Sequence, residues 1–414
     1  MVNRCYSRPS TLRFLRFGPL GPYIDAFTGW LINQGYSPQV LRYKIRWVAY
    51  LSHWLHQQRL GVGGLDEQQI ERFLRQRRNT GGLEGGNCTT FWDLLRWLRA
   101  AGAIAPASSD RKDTALSRLE EDFVSHLTRE RGLAEVTVKN YLPTAQRFLS
   151  EQCQANPARL KDAEPRHVTA FIQRQLKTTS LRRLQLVLTA LRVFFRFLRL
   201  RGLTSVDLAA AVSAVSNRRR AEWPKFISPK QVQQLLDSCD RRRPVGRRDF
   251  AILLLLARLG LRAGEVLALT LEDIDWETGV LTVRGKGRRV DRLPLPPDVG
   301  QALVDYLRHG RPRCATRRLF VRSKAPFREL ARNSCVCTVV RYACARAGLS
   351  PPQQGAHLLR HSLATNMLRR GASLREIGEI LRHRRPNTTE IYAKVDLQAL
   401  RAVAQPWIGG HRRW

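Results

Sequence analysis

The sequence predicts a mainly α-helical, multidomain chain, with two tandem helical domains followed by a third helical domain that carries a small antiparallel β-sheet. Three observations predict it. The first half repeats itself with apolar residues at helical spacing, the pattern changes at Ser228, and strand-like alternation is concentrated between Gly279 and Leu295. At 414 residues the chain exceeds one ordinary core, and a 43% apolar fraction is enough for packed domains.

The repeat can be read directly. Phe27 in YIDAFTGWLINQGYS corresponds to Phe123 in LEEDFVSHLTRERGLA; Tyr43, Tyr50-Leu51 and Phe73 recur 98 residues later as Tyr141, Phe148-Leu149 and Phe171. The closing LRWLRAAG (Leu95–Gly102) reappears as FRFLRLRG (Phe195–Gly202), and the final glycine of each suits a helix C-cap. A solenoid would need shorter and more numerous repeats, so a duplicated domain of four or five helices is the better reading. The polar stretch Ala105–Asp113 links the copies, and Ser216–Ser228, with Arg218, Arg219 and Arg220 in succession, links the second copy to the third domain. The expected domains are 1–108, 109–217, a basic linker 218–227, and 228–414.

In the third domain Ser228, Pro229 and Gln231 read as an N-cap, an N1 proline and a capping-box glutamine. A strongly apolar helix, Asp249–Leu259, stops at Gly260. Gly279–Leu295 alternates branched apolar and polar residues around Gly285-Lys286-Gly287, which predicts a hairpin with a glycine-flanked tip. Helices resume towards the C-terminus.

Charge narrows the function. Lys and Arg number 71 against 34 Asp and Glu, a formal net charge of +37, and the excess runs the whole length of the chain. Such an excess repels itself unless a polyanion neutralises it, and no basic amphipathic helix stands apart to suit a membrane surface. Nucleic acid is therefore the expected partner. No apolar run is long enough to span a bilayer and no secretory signal opens the chain, so the expectation is a cytoplasmic protein without membrane partners, held at the nucleoid by DNA binding. Eight scattered cysteines include no C-x-x-C pair, and Cys335, Cys337 and Cys344 lack a fourth ligand at zinc spacing. His53 and His56, three apart on a Trp-rich helix, read as residues that pack or face solvent. No metal and no cofactor is expected.

Unusual polar residues concentrate in four short segments: Arg262 and Glu265 in GLRAGEV, Lys286 at the hairpin tip, His357, Arg360 and His361 in HLLRHSLATNML, and His383 and Tyr392 in LRHRRPNTTEIYAKVD. Two guanidinium forks fit the non-bridging oxygens of a phosphodiester. A helix start, where His357 and Arg360 fall, also favours an anion. Ser373 and Asn387 are expected to cap the next two helices, the second of which carries Tyr392. A phenol of pKa about 10 needs a base to attack at neutral pH, and a lysine can protonate a departing oxygen. Arginines can stand in for a metal's charge. Each residue alone has a plain structural reading: solvated charge, amphipathic packing, or a satisfied histidine. Composition and periodicity carry the reading only as far as a DNA- or RNA-binding chain, with phosphoryl transfer as one option.

Together, however, the segments resemble the tyrosine recombinase (phage integrase) family: G-L-R-x-x-E at Arg262, G-K-G at Lys286, H-x-L-R-H at His357–His361, and L-x-H followed nine residues later by Tyr392. The likeness runs from Pro224 to the C-terminus, and Leu119–Gly202 is similar to that family's helical, SAM-like core-binding domain. The resemblance implies site-specific recombination of double-stranded DNA through a 3′-phosphotyrosyl link, without ATP or metal, as the integrase or transposase of a mobile element. It implies that Arg262 and Arg360 hold the scissile phosphate and that His357 assists proton transfer. Lys286 would be general acid, His383 would bond the phosphate or the leaving oxygen, and Tyr392 would be nucleophile. Glu265 would orient Arg262, while His361 stays open between support and packing. Relatives act as tetramers on two DNA sites.

Some features depart from the family pattern. Arg382, followed by Arg384 and Arg385, stands where the family usually has a small residue, commonly glycine. This charge could tighten DNA binding or disturb His383; Arg382 and Arg218–Arg220 are expected to contact DNA. The extra N-terminal copy could extend the DNA clamp, bind accessory sites or mediate assembly, and its basic character favours the clamp. Asp396–Trp407 looks amphipathic, and the resemblance implies that it docks on a neighbouring subunit, with packing on its own domain as the alternative. Rival readings are a type IB topoisomerase-like relaxing enzyme, a catalytically silent DNA-binding regulator on the same fold, and, third, an RNA-binding protein.

Overall fold

A computed structural model describes all residues except 80–86, 107–113, 154–156, 214–223, 286–288, 384–387 and 396–414. The chain forms two compact units, Ala105–Ala221 by itself and Met1–Ile104 together with Glu222–Trp414.

The first copy contributes α1 (Pro9–Arg16), α2 (Ile24–Asn33), α3 (Pro38–Gln57), α4 (Glu67–Asn79) and α5 (Asn87–Ala100); the second, α6 (Ala115–Ser125), α7 (Glu135–Cys153), α8 (Pro165–Thr178) and α9 (Leu181–Leu200). The repeat pairs Phe27/Phe123, Leu51/Leu149, Phe73/Phe171 and Leu98/Leu198 are all buried in their respective cores. Both copies end on a left-handed glycine, Gly102 at φ +69° and Gly202 at φ +67°, a conformation that side chains with a Cβ avoid.

The copies have also diverged. In the first, Lys44 Nζ pairs with Asp93 Oδ2 at 3.3 Å inside the core, and stands 4.7 Å from the Tyr36 ring centre. The repeat puts Leu142 and Val193 at the equivalent positions of the second copy. Of the two readings left open for His53, the structure shows packing: it is stacked on Phe14 at 4.4 Å and bonded to the Phe14 carbonyl. The turn after α2 meets the third domain, where the Phe327 amide donates to the Gln34 carbonyl at 3.1 Å. Gly35 there has φ +84°, and a Cβ would lie 2.2 Å from the Phe327 ring, so only glycine fits.

The third domain opens with α10 (Pro229–Asp237), whose Ser228–Gln231 capping box forms as the sequence requires. Its centre is α11 (Pro244–Arg258), buried continuously from Ala251 to Ala257 because Ala, Ile and Leu occupy every face there. The short α12 (Ala263–Ala268) leads to a three-stranded antiparallel sheet in the order β1 (Ile274–Asp275), β2 (Val280–Arg284), β3 (Val290–Pro294). Leu281 and Val283 face the core, and the register sets Leu281 opposite Leu293 and Val283 opposite Asp291. The hairpin is legible in the sequence; β1, two residues long, is too short to leave a periodic signal. Then come α13 (Pro297–His309), α14 (Asn333–Arg346), α15 (Ala356–Arg369), α16 (Leu374–Ile380) and a 3-10 helix, Glu390–Val395, that carries Tyr392. Among the described residues no helix is long and apolar enough to cross a membrane.

Candidate active site

The site is built where α11, α12, α15 and α16 end or begin. Leaving α11, the chain turns through Gly260 at φ +57°, where a Cβ would stand 2.7 Å from Leu381 Cδ2. That close approach brings Arg262 to the N-cap of α12. Glu265, on its first turn, accepts from the Arg262 amide at 2.9 Å and from Arg262 Nη1 at 2.6 Å, which fixes the guanidinium. Burial pushes the Glu265 carboxyl up, but the Arg262 amide and the charges of Arg382 and Arg262 outweigh it and hold it below the usual carboxylate range.

Four residues into α15, Arg360 is almost wholly buried. Its two terminal nitrogens donate to the carbonyls of Gly260 and Leu381, so it ties the α11–α12 turn to the end of α16. Burial, with Arg262 and Arg382 nearby, lowers its pKa to about 10, which leaves it charged at neutral pH.

The Tyr392 ring is 1% exposed, and its hydroxyl lies 2.8 Å from His361 Nδ1. Its plane is parallel to that of His383, with ring centres 6.5 Å apart. Burial pushes the phenol up to about 12, against the pull of Arg360. Burial likewise lowers His361 to about 4, helped by His357 and Arg360. His383 also falls to about 4 through burial and the charges of Arg360 and Arg262; its Nδ1 bonds Thr389 Oγ1 at 2.7 Å. Both rings are thus neutral at physiological pH and able to accept a proton. His357 is one turn from His361, with ring centres 6.1 Å apart.

Of the residues singled out from sequence, the structure brings together Arg262, Glu265, His357, Arg360, His361, His383 and Tyr392. Lys286 and Arg218–Arg220 lie outside the described residues, as do Asn387 and the 396–407 segment. Ser373 caps α16 as expected. Arg382 departs from expectation. The sequence suggests a DNA contact, yet its side chain is 5% exposed and its Nη2 donates to Glu265 Oε2 at 2.8 Å. A guanidinium so buried beside a carboxylate is held by that carboxylate and is not offered to solvent. Sequence reasoning missed Asp291, Thr389 and the accepting carbonyls of Gly260 and Leu381; the inward-pointing acid in the strand after the tip was the signal available for Asp291.

Comparison with known proteins is consistent with this geometry. The model of the Phage integrase family matches residues 225–399, and that of its N-terminal SAM-like domain matches 121–202. A putative integrase/recombinase, y4rA of Sinorhizobium fredii, is 42% identical over 95% of each chain. The chain belongs to the phage integrase family of tyrosine recombinases. The tyrosine recombinase XerD of Vibrio vulnificus is 31% identical over 68% of this chain and 92% of its own. Two solved recombinases share the fold at lower identity. One is XerH on a palindromic difH substrate, with TM-score 0.52, 20% identity, and 75% of this chain and 94% of that one covered. The other is a lambda integrase dimer on a core site, with TM-score 0.51, 18% identity and 67% and 93% covered.

Proposed function

We propose that this recombinase cuts and rejoins double-stranded DNA at specific sites through a 3′-phosphotyrosyl link at Tyr392, without metal or ATP, as the integrase or transposase of a mobile element. The observation that carries the reading is the Tyr392 hydroxyl bonded to a neutral His361 in the pocket that holds Arg262 and Arg360. Solved relatives captured on difH, on a phage core site and on a transposon's circular intermediate support DNA as the partner.

Arg262 and Arg360 would take the non-bridging oxygens of the scissile phosphate, where charge grows in the transition state. The phenol oxygen attacks phosphorus and gives its proton to His361, or through His357 to solvent. The bond from phosphorus to the 5′ oxygen breaks, and that oxygen takes a proton from Lys286. Rejoining reverses each transfer, so the bond energy is stored in the phosphotyrosine. An arriving phosphate anion also raises the basicity of both histidines that burial and arginines have depressed. Arg218–Arg220 would grip the duplex between the second copy and the catalytic domain, and the first copy would extend that clamp. A tetramer on two sites, with two subunits active at a time, completes strand exchange.

The test is covalent capture on nicked DNA taken from the gene's own flanks. Tyr392→Phe removes only the nucleophilic oxygen, so it should abolish capture and leave DNA affinity within about twofold; persistent strand joining would refute the assignment. Relaxation of supercoils without site pairing would instead identify a topoisomerase.

A further inference from the structure

Thr389 lies just before the 3-10 helix that carries Tyr392, and it joins the nucleophile to His383. Its carbonyl accepts from the Tyr392 amide at 2.9 Å, and its hydroxyl lies 2.7 Å from His383 Nδ1. The same side chain packs on α16, where the Gly378 carbonyl accepts from the His383 amide at 2.9 Å. A Cβ on Gly378 would stand 3.1 Å from Thr389 Oγ1, so the bare helix surface there lets the hydroxyl come close. One buried residue thus holds the backbone of Tyr392 and the ring beside it.

The direction of the Thr389–His383 bond decides where the ring keeps its proton. Burial and the charges of Arg360 and Arg262 lower His383 to about 4, so at neutral pH the ring carries a single N–H. Thr389 is 4% exposed, and among the described residues His383 Nδ1 is the one partner of its hydroxyl. Were Nδ1 the protonated nitrogen, it would donate to Oγ1 and the hydroxyl's own hydrogen would be buried without an acceptor, which is unfavourable. With the hydroxyl donating, both groups are satisfied and the ring proton sits on Nε2. Among the described residues Nε2 has no hydrogen-bond partner. We propose that Thr389 is a positioning residue that fixes His383 in the Nε2–H tautomer, so that the ring offers an N–H to the oxygens of the scissile phosphate. The opposite tautomer would present a lone pair to an anion, which repels it. The neutral ring is then a donor to the phosphate, and the Tyr392 proton is left to His361, whose Nδ1 meets the phenol directly.

The proposal rests on Tyr392 as nucleophile with His383 at the phosphate, and the experiment separates the two. Long-range proton–nitrogen NMR of the full chain, labelled at histidine, reads which ring nitrogen bears hydrogen; the His383 signals are identified by their loss in His383→Gln. At neutral pH the parent should show the Nε2–H tautomer, and an Nδ1–H signal overturns the proposal. Single-turnover cleavage of nicked duplex is then compared in Thr389→Val, which keeps the shape and removes the donor, and Thr389→Ser, which keeps the donor. Losing one preorganised donor to a developing charge slows a reaction by roughly 10²–10³, so Thr389→Val, which loosens that donor, should be slower by about tenfold or more. Its DNA affinity should be unchanged and His383 should show both tautomers, while Thr389→Ser keeps most of the rate. A glutamine amide has no tautomer to set, so adding Thr389→Val to His383→Gln should slow cleavage by less than about twofold further. Equal losses in the two backgrounds overturn the proposal, as does a Thr389→Val enzyme of normal speed or a Thr389→Ser enzyme as slow as Thr389→Val. If the parent forms no covalent complex, or Tyr392→Phe still forms one, the nucleophile reading fails. The parent's tautomer still decides the role of Thr389 in that case, and also should Thr389→Val not fold.

Discussion

His361 offers the most direct check on the physics of the pocket. Its ordinary pKa of 6.5 is lowered to about 4, chiefly by burial. The folded state therefore prefers the neutral ring, and the stability it contributes is present above 6.5 and is lost as pH falls towards and through 4. Linkage puts the loss at about 2 kcal/mol by about pH 5 relative to pH 8, and about 3 kcal/mol by about pH 4. Partial solvent access at the ring makes these upper values. His361→Asn keeps an acceptor for the Tyr392 hydroxyl but cannot titrate, so it should remove this acid-sensitive share while leaving stability at pH 8 nearly unchanged. The assay is an NMR titration of the nine histidine Cε1–H signals, with the His361 resonance identified by its loss in the variant, alongside thermal unfolding at these three pH values. A His361 that titrates at 6 or above, or an unchanged acid limb in His361→Asn, would refute the reasoning that burial sets its charge.

Three further outcomes are expected. Gly260→Ala meets both a left-handed φ and a Cβ 2.7 Å from Leu381 Cδ2; it should cost about 2 kcal/mol or more by calorimetry and slow cleavage, because the same residue's carbonyl anchors Arg360. In the first copy, Lys44→Leu alone takes from Asp93 its buried cation, leaving it the more exposed Arg96 and the Tyr36 hydroxyl, and should destabilise by roughly 1–2 kcal/mol, whereas Lys44→Leu with Asp93→Val, the pair used by the second copy, should fall near the parent's stability by the same assay. The logarithm of DNA affinity should drop linearly with log salt at a slope of about 0.9 per phosphate neutralised, read by fluorescence anisotropy across salt concentrations, and a flat response would contradict the clamp.

What the sequence disclosed was local, and what it concealed was convergent. The Ser228 and Ser373 caps, the β2–β3 hairpin, the glycine stops and the His357–His361 spacing each depend on residues within a turn or a few pairs, so their chemistry could be read off directly. The repeat was legible because its buried positions recur. Arg382 escapes a sequence reading because its partner Glu265 lies 117 residues away, and a run of arginines looks like surface charge when its neighbours are unknown. The role of His361 stays open in the sequence for the same reason, since only the fold brings it to Tyr392, 31 residues on. Nor could periodicity show that the first copy groups with the catalytic domain; that depends on single contacts such as Phe327 on Gln34.

The enclosure of the Tyr392 ring bears on discrimination as well as on acidity. A phosphodiester cannot touch an oxygen shut away from solvent until the groups over it part. A stray phosphate offers too few interactions to make that parting favourable, while a ligand spread across the whole domain offers many. Admission to the reaction would then be decided by how much of the protein a substrate engages, and an otherwise potent oxygen could be carried safely among a cell's abundant phosphates.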